Sequence, residues 1–311
     1  MFLTRRQAGA GFMSLAGAGA LPLKSAWAQE APLAEDPTEV DTTKGRWEHM
    51  VAPVTINAQG PFNFLMDTGA NVSCVSNDLA SKLMLASGPA APVHTVVGVR
   101  TRPSFIIDHL VVGSRKRREV RAPGLPISGV GVDGVLGVDW LKGQRLVLDF
   151  EKKKIEITQT RAEHSGQGRV VVPARKRLGQ LTIVDADLNG RNISAMIDSG
   201  SQVTMCNTPL RQLIAEAERG KKQPVFEPRK VRLETVAGEK FTAEMLFLPF
   251  LRLGGLHLGN VSVFYADMHV FDIWGLKDKP AIVLGMDLLT EFKSVALDFG
   301  RSQVRFDFAD V

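Results

Sequence analysis

Short apolar runs broken by turn residues fill most of this chain, and the runs come in matched pairs. Val51-Ala52-Pro53-Val54-Thr55-Ile56-Asn57 reads as a strand, Gln59-Gly60-Pro61 as a turn, and Phe62 to Met66 as a second strand running into Asp67. The later half repeats the scheme with Leu181-Thr182-Ile183-Val184, a turn at Asn189-Gly190, and Ile193 to Ile197 running into Asp198. A short helix is predicted after each aspartate. One spans Asn77 to Leu85; the other spans Thr208 to Glu218, with Thr208 as N-cap, Pro209 in the first helical position and Gly220 as the stop. Further hairpins centre on Gly98 and Gly238, flanked by Val and Thr.

The pairing extends to particular residues. Phe64-Leu65-Met66-Asp67-Thr68-Gly69-Ala70 is answered by Ala195-Met196-Ile197-Asp198-Ser199-Gly200-Ser201, and Val135-Leu136-Gly137-Val138-Asp139 by Val283-Leu284-Gly285-Met286-Asp287. Asp67 and Gly137 are 70 residues apart and Asp198 and Gly285 are 87 apart, so the second half carries 17 extra residues. Between these anchors Thr95-Val96-Val97-Gly98 matches Thr235-Val236-Ala237-Gly238, and after them Leu148-Asp149-Phe150 matches Leu297-Asp298-Phe299. Four landmarks recurring in one order define an internal repeat.

An apolar run ending in Asp-Thr/Ser-Gly, followed later by an apolar-apolar-Gly element, and both present twice, resembles the aspartic proteases of the retropepsin and pepsin kind, in a bacterial version with both lobes fused. The resemblance covers roughly residues 49 to 308. It implies an all-β, two-lobed acid protease fold with short helices and lobes related by a pseudo-two-fold axis. It also implies a catalytic pair, Asp67 and Asp198; turns supported by Thr68, Gly69, Ser199 and Gly200; flaps at Gly98 and Gly238; and second-signature loops at Gly137 and Gly285. No metal or other cofactor is implied, the ligand is an extended peptide, and one chain completes one site, so a monomer is expected. The sequence departs from the pepsin pattern in its sole tyrosine, Tyr265, which is near neither flap, and in lacking an obvious propeptide.

Amide hydrolysis needs an activated water and a proton for the leaving amine. Two carboxyls a few ångströms apart can supply both, because like charges so close hold one proton between them. Other schemes find less support: there is no Gly-x-Ser-x-Gly, and the six histidines form no metal-ligand spacing. Asp139, Asp287, Asp149 and Asp298 read as acceptors for backbone amides. The alternative function is a non-catalytic peptide-binding protein on the same fold.

The 311 residues, 44% hydrophobic and 23% charged, are enough for two modest domains. Residues 1–28 carry Arg5, Arg6, an Ala/Gly/Leu stretch and Ala26-Trp27-Ala28, the marks of a signal peptide, with the Arg pair suggesting the twin-arginine route. A periplasmic protein beginning near Gln29 is expected, with a membrane-tethered form as the alternative if the signal is uncut. Removing that segment lowers the formal charge from +5 to +2, which gives nucleic-acid binding little support. Residues 29–46 read as a flexible lead-in, 47–160 as the N-terminal lobe, 161–178 as a linker and 179–311 as the C-terminal lobe. Arg115-Lys116-Arg117-Arg118 reads as a solvated strand-to-strand turn, with weak contact to an anionic membrane surface or an acidic substrate as the other reading. Cys74 and Cys206 follow the two aspartates in separate lobes and are expected as buried thiols rather than a disulfide. Part of the surplus falls in Ala266 to Pro280, where Phe271 and Trp274 are expected to pack.

Overall fold

A computed structural model describes residues 38–41, 43–44, 50–127, 131–218 and 229–308; the expected signal segment and Gly220 lie outside them. Each lobe is a closed ring of six strands. In the first, Met50–Ile56, Gln59–Met66, Gly134–Leu136, Cys74–Ser76, Arg115–Leu125 and Gly98–Val112 pair in that order, and the last pairs back with the first. In the second, the order is Gln180–Leu188, Arg191–Ile197, Ala281–Leu284, Met205–Cys206, Leu256–Tyr265 and Lys240–Leu253, closed in the same way. The strand ending at each aspartate runs parallel to the strand ending at Gly137 or Gly285. Phe64, Leu65 and Met66, like Ala195, Met196 and Ile197, are all buried. A continuous apolar run suits a central parallel strand covered on both faces, whereas alternation would leave one face wet.

The lobes share a sheet. Gln144–Asp149 pairs antiparallel with Ser294–Asp298, with Arg145 opposite Asp298 and Asp149 opposite Ser294. Lys154–Gln159 and Gln303–Asp307 flank this pair. Because Asp149 and Asp298 are repeat equivalents, this register is mapped onto itself by a local two-fold axis. Leu146, Leu148, Val295 and Leu297 are each 0% exposed, so one core runs through both lobes. Truncating any of the three leucines to Ala would cost about 2 to 5 kcal/mol. Asp149 Oδ1 accepts from the Lys152 N–H and Asp298 Oδ1 from the Arg301 N–H, at 2.8 Å each, closing the equivalent turns.

Several local expectations change. The first hairpin turns at Asn57-Ala58, both at positive φ, and Gln59-Gly60-Pro61 belongs to the following strand, because Ile56 pairs with Gln59. The helix after Asp67 stops at Lys82. Asn207, not Thr208, caps the helix Thr208–Glu218: its Oδ1 accepts from the Leu210 N–H at 3.1 Å, and its Nδ2 donates to the carbonyls of Leu276 and Lys279. A buried Asn can thus cap the helix and anchor the surplus loop at once. Arg115–Arg118 lies within a strand; Gly113, at φ 56°, and Ser114 make the turn, and Arg117 stacks 4.8 Å over the Trp140 ring.

The lead-in contributes two short strands, Thr38–Asp41 against Lys154–Gln159 and Thr43–Lys44 against Met50–Ile56. Edge pairing uses main-chain groups and needs no apolar period. Residues 169–177 of the stretch read as a linker form a strand pairing with Gln303–Asp307 and Gln180–Leu188. Ahead of it Glu163 Oε1 accepts from Arg145, Arg161 and Arg305 at 2.8, 3.0 and 2.6 Å, fastening the connection to the shared sheet.

Candidate active site

Asp67 and Asp198 meet at the join of the lobes, their side chains in hydrogen-bond contact. Each is delivered by its parallel strand: the Asp67 N–H donates to the Leu136 carbonyl at 2.9 Å and the Asp198 N–H to the Leu284 carbonyl at 3.0 Å. Past each aspartate the chain folds back over the carboxylate. Asp67 Oδ1 accepts from the N–H groups of Gly69 and Ala70 at 2.8 and 2.9 Å, and Asp198 Oδ1 accepts from the Gly200 N–H at 2.8 Å. A Cβ on Gly69 would overlap the Asp198 carboxylate, and one on Gly200 would overlap that of Asp67. Glycine is required here for close approach.

Thr68 and Ser199 tie the turns together. The Ser199 N–H donates to Thr68 Oγ1 at 3.0 Å and the Thr68 N–H to Ser199 Oγ at 3.2 Å. Each hydroxyl then donates across the join, Thr68 Oγ1 to the Ile197 carbonyl at 2.9 Å and Ser199 Oγ to the Met66 carbonyl at 2.6 Å. Both side chains are buried, so these polar groups of each turn are satisfied only by the other lobe.

Gly137 and Gly285 let the post-aspartate chain pass close by. A Cβ on Gly137 would crowd the Ala70 carbonyl, and one on Gly285 would collide with the Val203 backbone. Their N–H groups donate to Ser73 Oγ and Thr204 Oγ1, both at 3.1 Å. These hydroxyls donate to Asp139 at 2.8 Å and Asp287 at 2.7 Å. Asp139 and Asp287 also accept the N–H groups of Ser73 and Thr204. Ser73 and Thr204 each lie six positions after their aspartate, a signal within the repeat that sequence reasoning passed over.

A cavity of about 340 Å³ opens above the carboxyls. Hairpins from both lobes reach over it: Thr95 and Val96 from the Gly98 hairpin, and Thr235, Val236 and Ala237 from the Gly238 hairpin, all line its wall. The first hairpin turns at Val96-Val97 rather than at Gly98, which at φ 142° opens the next strand opposite Thr95, whereas Gly238, at φ 76°, lies in its turn; the flap candidates flank the cavity wall without lining it. Arg100 Nε lies 3.1 Å from Glu239 Oε1, joining the two hairpins. The surplus loop supplies another wall through Val270, Ile273 and Trp274, so Trp274 packs edge-on to Phe271 and faces the cavity as well. His269, at the start of that loop's helix, donates its N–H to the Val96 carbonyl at 2.9 Å, and its ring stacks on His94, with the two nitrogens 3.1 Å apart. The histidine pair and Gln180, which also lines the cavity, carry no sequence signal, since each contact joins segments more than 100 residues apart.

Burial raises the Asp67 carboxyl well above the ordinary carboxylate range, and the charge and hydrogen bond of Asp198 raise it further. Burial also raises Asp198, while the hydrogen bond from Asp67 and the turn amides pull it back down. The two carboxyls therefore hold one proton between them, and the titration belongs to the pair rather than to either residue. Cys74 and Cys206 are free and buried; burial pushes the Cys74 thiol up to about 12 and raises Cys206 further. Neither is a thiolate nucleophile at neutral pH.

Two pseudo-symmetric six-stranded lobes that bring one carboxyl each to a common cleft define a two-lobed, pepsin-like all-β fold. Residues 52–143 match a family model described as a gag-polyprotein aspartyl protease, and residues 184–288 match another described as an aspartyl protease. The chain belongs to the retropepsin-like aspartic protease family. A search of curated proteins returns no match to it.

Proposed function

We propose that this chain is an aspartic endopeptidase that hydrolyses peptide bonds with a water activated between Asp67 and Asp198. The observation that carries the reading is the facing pair of half-buried carboxyls, one from each lobe, at the floor of a cavity roofed by two hairpins. The ionised member of the pair takes a proton from water as the oxygen attacks the scissile carbonyl carbon, and the protonated member gives its proton to the carbonyl oxygen, forming a gem-diol. Collapse of the diol breaks the C–N bond: the proton taken from water passes to the leaving amine, and a diol hydroxyl returns a proton to the other aspartate as the product carboxyl forms. Extended backbone of the substrate pairs with the hairpin edges, and walls such as Val96, Leu125 and Ile273 favour apolar side chains beside the cleaved bond. We further propose that residues 1–28 direct the chain to the periplasm and that it acts there as a monomer, since one chain supplies both carboxyls.

The test is a cleavage profile against a diverse peptide library from about pH 3 to 8, run with wild type, Asp67→Asn, Asp198→Asn and the double variant. General acid and base functions fail together, so each single variant should lose at least about a thousandfold in kcat/KM, and the double should be little worse. Activity that survives in Asp198→Asn, or that a chelator abolishes, would move the chemistry elsewhere.

A further inference from the structure

We propose that Gln180 is a substrate-binding residue of this cleft, its Oε1 accepting one backbone N–H of an extended peptide next to the carboxyl pair. Gln180 is the first residue of its strand and pairs with Arg177 across a two-residue turn, Leu178-Gly179, with φ of 51° and 94°. A turn with both φ positive matches the twist of its strands and fixes their register, so the position of Gln180 is set by the hairpin. The turn reaches the first lobe: a Cβ on Gly179 would lie 3.1 Å from Val138 Cγ2. From there Gln180 Nε2 donates to the Gly69 carbonyl in the Asp67 turn.

That contact decides the chemistry of the other end. Only the amide nitrogen can donate to a carbonyl, so the group directed elsewhere is Oε1, an acceptor. Gln180 is 1% exposed and lines the cavity together with Asp67 and Asp198; its Oε1, itself covered, has no hydrogen-bond partner among the described residues, so a seated peptide reaches it as the free end of the carboxamide turns into the cavity. A buried acceptor left unpaired is unfavourable, and a bound donor relieves it. Thr95, Val96 and Val236 line the same cavity at the hairpin tips, which bracket a chain lying in it. A neutral backbone N–H is the donor that every extended peptide brings there. Gln180 would therefore read the register of the main chain and not the identity of a side chain.

The inference rests on the cleft being a peptide site, so the experiment reads binding apart from hydrolysis. The tightest octapeptide from a library panned on Asp67→Asn is prepared with each backbone N–H in turn replaced by an ester oxygen. Affinities are measured by calorimetry for Asp67→Asn and for Asp67→Asn with Gln180→Met. One analogue should bind Asp67→Asn about tenfold more weakly than the parent. In the Gln180→Met background that analogue and the parent should bind equally, while the other analogues keep their original losses. Losses that Gln180→Met leaves unchanged at every position would overturn the proposal, since water or an internal donor would then satisfy Oε1. Uniform weakening of every analogue would do the same by marking a purely structural tie. If Gln180→Met lacks a cooperative thermal transition, Gln180→Asn, whose shorter amide cannot span both contacts, is read identically; failure of both to fold also overturns the role. Wild type that cleaves peptides without any positional coupling sinks this proposal alone. A library in which nothing binds Asp67→Asn and nothing is cleaved sinks the peptide-site reading with it.

Discussion

Thr68→Val removes one hydroxyl from the tie between the aspartate turns and nearly preserves its volume. The Ser199 N–H then loses its acceptor at 3.0 Å and the Ile197 carbonyl loses its donor at 2.9 Å, in a place where Thr68 is 1% exposed and Ser199 0%. Water cannot readily reach either group, so each stranded partner costs about 1 to 3 kcal/mol, for a total of about 2 to 6 kcal/mol. Thr68→Ser keeps the hydroxyl and should lose no more than about 1.5 kcal/mol, the cost of a buried methyl. Urea unfolding followed by circular dichroism gives the two differences directly, provided the m-value is unchanged. Activity should fall further than stability predicts, because misplacing a carboxyl by about 1 Å can cost about a hundredfold in rate. If Thr68→Val were as stable as Thr68→Ser, the buried bonds would not be holding the lobes and the reasoning would fail.

Because both carboxyls are raised by burial, the folded state binds more protons than the unfolded state between the ordinary carboxylate range and the raised values. Stability from this pair is therefore lost as pH rises through that window, with a slope of about 1.4 kcal/mol per pH unit for each extra proton the folded state holds. Asp67→Asn should accordingly melt higher than wild type at pH 7, with the gain shrinking toward pH 4; an equal gain at both pH values would contradict the linkage. Gly69→Ala and Gly200→Ala place a methyl against the opposite carboxylate and should each cost about 1 to 3 kcal/mol and most of the activity, read by melting and peptide cleavage. A variant that keeps full activity would show that the turns can spread. Cys74 and Cys206 should resist a thiol reagent in the native protein at pH 8 and both react in denaturant. Rapid native labelling would mean that the lobes open readily.

The aspartates, the hydroxyls beside them and the glycines of both signatures were legible in the sequence because each belongs to a repeat, and the repeat marks them without any alignment. Strands ending at Met66 and Ile197 were legible because buried parallel strands are continuously apolar. Local choices that depend on register were not. The turn at Asn57-Ala58 follows from the Ile56–Gln59 pairing, and Asn207 displaces Thr208 as cap because the surplus loop offers its amide two carbonyls. The strand at Thr38–Asp41 has no apolar period because edge pairing relies on its main chain. The cleft's walls lay furthest from the sequence. Gln180 meets Gly69 across 111 residues and His94 meets His269 across 175, and no spacing rule spans such gaps. Those contacts exist only because the shared sheet around Gln144–Asp149 and Ser294–Asp298 fixes one lobe against the other.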